Sequence, residues 1–333
     1  MAGVSEATVS RVLNNSAGVS ADKRDRVLTA AKTLRFRPNS QARLLAGGKT
    51  DTILLVHPMI DTPLTWYFHQ LEAGAARGCA AHGFSLKTHF VFPDTAAHVA
   101  KVLKPVESGE YAGVILAAPF SDDANLIAAL RARHFPFVLV AAGAATRALA
   151  SGIGMDDERA GYELTDYLLT LGHRRFGFSL GLKDHLSAEE RFDGARRAIQ
   201  AHGGETDIVT ARGALNFQGG HDAFHEMARA GALPTALICA NDESAAGAIH
   251  AAHEAGLSLP GDVSIVGFDD APFAALLSPP LTTISQGIEA MGARAIDRLA
   301  DTIEGRDRAY EMTRPRLVIR QSVRDLSGAG GLT

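Results

Sequence analysis

Few residues in this 333-residue chain stand in patterns that do covalent chemistry. The acidic run Asp156-Asp157-Glu158 has the composition of a metal or acid–base cluster, but reads better as a solvated loop. His173, in LGHRRFGF, has no evident catalytic partner. No Walker A loop is present, no G-x-G-x-x-G follows a first strand, and no nucleophile elbow occurs. Cys79 and Cys239 lie in apolar surroundings and give neither a disulfide framework nor metal spacing. No catalytic residue, metal or cofactor is therefore expected. The opening stretch, MAGVSEATVSRVLN, offers a different chemistry. Gly3 permits a tight turn. Ser5 can cap a short helix by accepting from its first free N–H groups. Val9, Val12 and Leu13 follow helical spacing, which leaves Glu6, Ala7, Thr8 and Arg11 on the outer side. Such a helix fits a DNA major groove, where an Arg pairs bidentately with guanine.

Charge supports a nucleic-acid partner for this end. Residues 1–49 carry nine Lys or Arg against three acids, and the remainder carries 24 against 34. A basic head on an acidic body points to polyanion binding by the head. Asn14-Asn15-Ser16-Ala17-Gly18 reads as a loop. Ser20 then opens a second helix, in which Val27, Ala30, Ala31 and Leu34 form one apolar face and Lys23, Arg24, Arg26 and Lys32 lie largely off it. Arg37-Pro38 ends that helix. Asn39 can cap a third, Ser40 to Ala46, closed by Gly47-Gly48. Ala42 and Leu45 share one side of it, placed either to wedge between base steps or to pack on the body.

From residue 50 onward, apolar strand-like runs such as TILLVHP, YAGVILAAP, FPFVLVAAG, RFGFSLG, TALICAND and DVSIVGFDD alternate with helical patterns. This predicts an α/β fold of parallel sheets wrapped by helices, in two doubly wound halves with a cleft between them. Ligands in such sheets bind beyond the carboxyl ends of strands, so polar residues there are site candidates. Hydrophobic content is 46% and charged content 21%, with no apolar run long enough for a membrane span and no signal peptide, so a cytoplasmic protein is expected.

GVSEATVSRVLNN, followed by VSADKRDRVLTAAKTLRFRPNSQARLLAGG, resembles the headpiece and hinge of the lactose-repressor/galactose-repressor (LacI/GalR) family of bacterial transcription factors. The similarity extends through nearly the whole chain. It implies a helix-turn-helix head over 1–37, a hinge helix and linker over 38–49, and a periplasmic-binding-protein-like effector domain over 50–324. A flexible tail would follow over 325–333. Three crossings, near Met155–Glu158, Thr282–Ser285 and Met312–Arg316, would divide the effector domain into about 50–155 with 285–312, and 156–282 with 313–324. By this resemblance Glu6, Ala7 and Arg11 read bases and Thr8 and Ser10 touch phosphates. Ser5 and Asn14 flank them as further DNA contacts, and Leu45 with Ala42 forms the hinge wedge. The family's headpiece has a helix before the Ala2-Gly3-Val4-Ser5 turn. The partner on which Val9, Val12 and Leu13 would pack is thus expected to be missing, Met1 to be internal to a longer natural protein, and DNA binding by the chain as it stands to be poor.

The same resemblance places effector contacts at Arg191 in EERFDG, Asn241 in AND and Asp269 in GFDD. Arg offers a fork for hydroxyls or a carboxylate, Asn a donor and an acceptor together, and Asp an acceptor for paired hydroxyls. Their bland alternatives are a salt bridge and two turn caps. Trp66 and Tyr67 are the candidates for stacking on a ligand ring, with Phe68 assigned to the core. Leu215 falls where the family often has an aromatic. Ala117, Ala118, Ala141 and Ala142 make the first half of the pocket less polar than in typical sugar responders. The expected partners are palindromic operator DNA, a sugar-like small-molecule effector and a second copy of the chain, because half-site reading needs two heads. The tail has no heptad run for a coiled-coil tetramer. The alternative is a solute-binding protein of the same fold without DNA binding.

Overall fold

The computed structural model describes residues 2–13, 18–33, 50–59, 65–93, 97–181, 185–231, 233–306 and 308–330. It divides into two compact units, Met1–Asp51 and Thr52–Thr333. The expected DNA contacts Asn14, Ala42 and Leu45 lie outside the described residues.

In the first unit, helix α1 (Glu6–Leu13) packs on helix α2 (Ala21–Thr33). Ser5 caps α1. Its carbonyl accepts from Val9 N at 3.0 Å, its Oγ lies 3.4 Å from Thr8 N, and the two hydroxyls meet at 3.0 Å. Gly3 takes φ +60° in the preceding turn, and Arg26 Nη2 donates to its carbonyl at 3.2 Å. Val12 and Val27 are buried, so α1 finds apolar cover on α2, while Val9 stays partly open. Ala7, Ser10 and Arg11 are exposed and Thr8 is half-buried.

The second unit holds two six-stranded sheets. The first runs β11-β5-β4-β3-β1-β2, all parallel, from β1 (Thr52–Pro58), β2 (Ser85–Val91), β3 (Gly113–Ala117), β4 (Phe137–Val140), β5 (Gly152–Met155) and β11 (Glu311–Thr313). The second runs β12-β10-β9-β8-β6-β7, from β6 (Arg175–Ser179), β7 (Asp207–Ala211), β8 (Ala236–Cys239), β9 (Ser264–Asp269), β10 (Thr282–Ser285) and β12 (Arg316–Val318). Among the described residues only the β10–β12 pair is antiparallel. The apolar runs of β1, β3 and β4 are buried on both faces, which parallel strands sandwiched between helices require.

Helices α3 (Thr65–His82), α4 (His98–Glu107), α5 (Ala124–Ala132), α6 (Ala144–Arg147) and α11 (Ile288–Ile303) accompany the first sheet. Helices α7 (Asp157–Thr170), α8 (Leu186–His202), α9 (Phe217–Arg229) and α10 (Asp242–Glu254) accompany the second. The chain passes from first lobe to second after Met155, returns after Ser285, and crosses again between Thr313 and Arg316. The whole of Thr282–Ser285 pairs with β9 in the second sheet, so the second crossing follows that strand rather than falling on it.

Residues 324–327 are docked, although a flexible tail was expected from 325. Leu326 N donates to Leu171 O at 2.7 Å. Buried His173 holds Thr235 Oγ1 at 3.1 Å and Arg324 O at 3.0 Å, a structural joint rather than a reactive group. Cys79 and Cys239 are free and buried.

Candidate functional site

A cleft opens where the carboxyl ends of the two sheets face each other. Tyr67 and Phe68 from α3, Ala118 after β3 and Ala141 after β4 line it from the first lobe. His185, Ser187 and Arg191 at α8, Leu215 before α9, Ala240 and Asn241 after β8, and Asp269 at the end of β9 line it from the second. Gln286 enters from the crossing. The structure thus gathers five of the expected effector contacts, Tyr67, Arg191, Leu215, Asn241 and Asp269, around one space.

Arg191 organises the polar side. Its Nε donates to Asp157 Oδ1 at 2.7 Å, its Nη1 to Ala240 O at 2.8 Å, and its guanidinium lies 4.4 Å over the Phe268 ring. Among the described residues Nη2 has no protein acceptor, so one prong of the fork remains for a ligand. Burial pushes the Asp157 carboxyl above its ordinary range, and Arg191 pulls it back only in part. The acidic run at 156–158 therefore divides three ways: Asp156 accepts from Arg159 N as the cap of α7, Asp157 pairs with Arg191, and Glu158 pairs with Arg197.

Asp269 sits at φ +115° and Asp270 follows at +57°, a left-handed kink that turns the chain sharply at the cleft. Arg320 Nη2 holds Asp270 at 2.6 Å, and Gln286 Nε2 donates to Asp269 Oδ1 at 2.5 Å. Burial is the main force on the Asp269 carboxyl, and against the pull of Arg191 it pushes the pKa up to about 7.

Asn241 is chiefly a helix cap. Its Oδ1 accepts from Ser244 N at 2.9 Å and Ser244 Oγ at 2.7 Å, and its Nδ2 donates to Leu215 O at 3.0 Å. One N–H is left for a ligand, and the cap fixes its direction.

Trp66 does not line the cleft. Successive helical residues diverge by about 100°, so Tyr67 turns inward while Trp66 faces a neighbouring groove with Gln70, Arg77 and Asp270. The Tyr67 hydroxyl is buried and has no hydrogen-bond partner among the described residues. An orphaned hydroxyl beside a cleft marks a place for a polar ligand atom or water.

Sequence reasoning missed His185, Ser187 and Gln286. His185 caps α8: its Nδ1 faces Ala188 N at 3.4 Å, which assigns the proton to Nε2. Burial, then the Arg191 charge, pushes its pKa down to about 4, so it presents a neutral N–H donor. The signal was a histidine one residue before a helical pattern, a place where an Asn or Ser would have been read as a cap.

Two opposed sheets with a cleft at their carboxyl edges, carried behind a basic two-helix head, define a ligand-responsive DNA-binding protein. Comparison with known proteins agrees. Residues 1–39 match the model of bacterial regulatory proteins of the lacI family, and residues 165–323 match that of the periplasmic binding protein-like domain. The HTH-type transcriptional regulator MalR of Streptomyces coelicolor is 34% identical, with 99% of this chain and 96% of that protein aligned. The HTH-type transcriptional repressor PurR of Haemophilus influenzae is 30% identical over 98% and 97%. A lac repressor dimer bound to operator and the anti-inducer ONPF superposes with a TM-score of 0.85 at 27% identity, covering 97% of this chain and 96% of that one. A CelR–cellobiose complex superposes with a TM-score of 0.75 at 27% identity, covering 96% and 97%. The chain belongs to the LacI family of bacterial transcriptional regulators. It is a DNA-binding regulator rather than an enzyme, and a solute-binding protein without a DNA-binding head is excluded by the match over residues 1–39.

Proposed function

We propose that this regulator, acting as a cytoplasmic homodimer, holds a palindromic operator and that a small polyhydroxylated molecule, a sugar of one or two rings, sets its affinity from the cleft. The observation that carries the effector class is the set of unfilled hydrogen-bonding atoms around an apolar floor. The Arg191 Nη2, the His185 Nε2–H and the Tyr67 hydroxyl converge with the Asp269 carboxylate above Phe68, Ala118, Ala141 and Leu215. A sugar has the matching surface, with hydroxyls at its rim and C–H faces between them. The CelR relative bound to cellobiose supports this reading.

On the DNA side, Ser5, Glu6, Ala7, Thr8, Ser10 and Arg11 form the reading edge of α1, with Asn14 following and Ala42 and Leu45 as the hinge wedge. Exposure of Ala7, Ser10 and Arg11 supports that assignment. Effector and operator each favour one lobe arrangement, so each shifts the other's affinity by the same factor. Closure of the lobes would alter the spacing of two hinge helices in the dimer.

The test is thermal unfolding and calorimetry of the chain against a panel of mono- and disaccharides. One member should raise the unfolding midpoint and bind saturably, and Tyr67→Phe and Asp269→Asn should each weaken it by about tenfold, the worth of one ligand hydrogen bond. Binding that is indifferent to both substitutions would remove the cleft assignment.

A further inference from the structure

We propose that the facing surfaces of α9 and α10 carry a divalent transition-metal site, of zinc type, built from His221, His225 and Glu254 with His250 within reach. The sequence reading expected no metal because it looked for cysteine spacing and acidic runs. The signal is instead two i,i+4 pairs on adjacent helices: His221 with His225 in GGHDAFHEM, and His250 with Glu254 in AGAIHAAHE.

The helices bring these pairs together because their backbones nearly touch. A Cβ at Gly220 would meet Ser244 O at 1.8 Å, and one at Gly247 would meet Phe217 O at 1.8 Å. Only glycine allows that approach. One turn further along, one ligand atom from each of His221, His225 and Glu254 lies within 4.8 Å of the others. His221 Nε2 is 2.8 Å and His225 Nε2 3.7 Å from Glu254 Oε2, and His250 Nε2 is 3.4 Å from Oε1. Tetrahedral zinc with bonds of about 2.0–2.1 Å needs ligand atoms about 3.3 Å apart. The three distances bracket that spacing, so small side-chain rotations seat the ion.

The surroundings also suit a ligand set. His221 Nδ1 faces Asp222 Oδ1 at 3.4 Å, and Gln218 Nε2 donates to the same oxygen at 2.8 Å. An outer carboxylate on Nδ1 directs Nε2 to the metal. The side chains keep solvent access, with His221 21% and His225 29% exposed, which gives the ion a path in. One carboxylate cannot satisfy three imidazoles, whereas one cation can. A bound ion would clamp α9 to α10, just ahead of whose N-termini Leu215 and Asn241 line the cleft.

The experiment is titration of the purified full chain with Co²⁺, followed by absorbance, then displacement by Zn²⁺. The wild-type chain should bind one ion per chain with the strong visible bands of tetrahedral coordination. His221→Ala and His225→Ala should each weaken binding at least about tenfold, since loss of even an outer partner costs about 10- to 100-fold. His253→Ala, an exposed α10 histidine outside the cluster, should bind like wild type. Added Zn²⁺ should raise the unfolding midpoint of wild type and of His253→Ala but not of the double variant His221→Ala/His225→Ala, whose midpoint without metal reports whether it folds. Absence of saturable Co²⁺ binding to wild type, or equal binding by the folded double variant, overturns the proposal and leaves a surface ion-pair cluster.

Discussion

Arg191 and Asp269 decide how the cleft is charged. The Arg191–Asp157 pair is nearly closed off, with side-chain exposures of 10% and 7%. Removing one member of a buried pair leaves the other charge without compensation, at a cost of about 3–5 kcal/mol. Arg191→Ala should therefore lower the unfolding midpoint markedly as well as abolish effector binding, and denaturant titration measures the first effect separately. Asp269 gives a pH signature. Its folded pKa of about 7 stands above its ordinary 3.8, so its contribution to stability is fully present below pH 3.8 and is lost as pH rises through 7. Asp269→Asn cannot ionise. Its unfolding midpoint should rise relative to wild type from pH 5 to pH 8. Sugar hydroxyls donate more strongly to the charged carboxylate than to the neutral acid, so wild-type effector affinity should climb over the same interval while the variant stays flat. Calorimetry at three pH values reads both. A wild-type affinity independent of pH would show that Asp269 does not accept from the ligand.

Elements were legible where their periodicity was long and lost where they were short. The buried runs of β1, β3 and β6 and the amphipathic patterns of α7, α8 and α11 could be read because burial on two faces, or on one helical stripe, dictates composition. β5 is Gly-Ile-Gly-Met and β11 is Glu-Met-Thr, too short and too poor in β-branched residues to declare themselves. They exist because β4 and β5 offer edges for pairing, a property of tertiary structure. The same limit hid the site's finer geometry. The sequence supplied Arg191, Asn241 and Asp269, but helical phase separated Tyr67 from Trp66, and capping brought in His185. The segment after β12 shows how one residue locks the chain end. Buried Ser322 donates to Ile265 O at 2.5 Å and accepts from Thr282 N at 2.9 Å, tying the chain end across β9 and β10. Ser322→Ala leaves the Thr282 N–H buried without an acceptor, and should cost about 1–3 kcal/mol in denaturant unfolding. A neutral substitution would mean that water reaches that edge.

At the scale of the molecule, the two lobes of the effector domain are already in contact across the cleft. Arg147 of α6 grips Glu190 of α8 at 2.5 Å, and Ala144 N donates to the same carboxylate at 2.8 Å. The Glu243 carboxylate accepts from Trp66 N at the start of α3, where a helix favours an acid. Gly143 admits Leu186, whose Cδ1 would lie 2.5 Å from an added Cβ. These contacts favour the closed arrangement without lining the ligand space. Glu190→Gln should thus weaken effector binding severalfold by lowering the closed population, and small-angle scattering should show a more open effector domain. The central claim is that cleft and operator are coupled. It is tested most directly by fluorescence anisotropy on a palindromic duplex, selected from a CG-centred library by this chain, titrated in the presence and absence of the saccharide that stabilises it. The account predicts sequence-specific binding whose operator affinity changes at least fivefold with saccharide, the low end of about 1–3 kcal/mol of coupling, and in Asp269→Asn a response that needs about tenfold more saccharide. Tight saccharide binding with an unchanged operator affinity would contradict it.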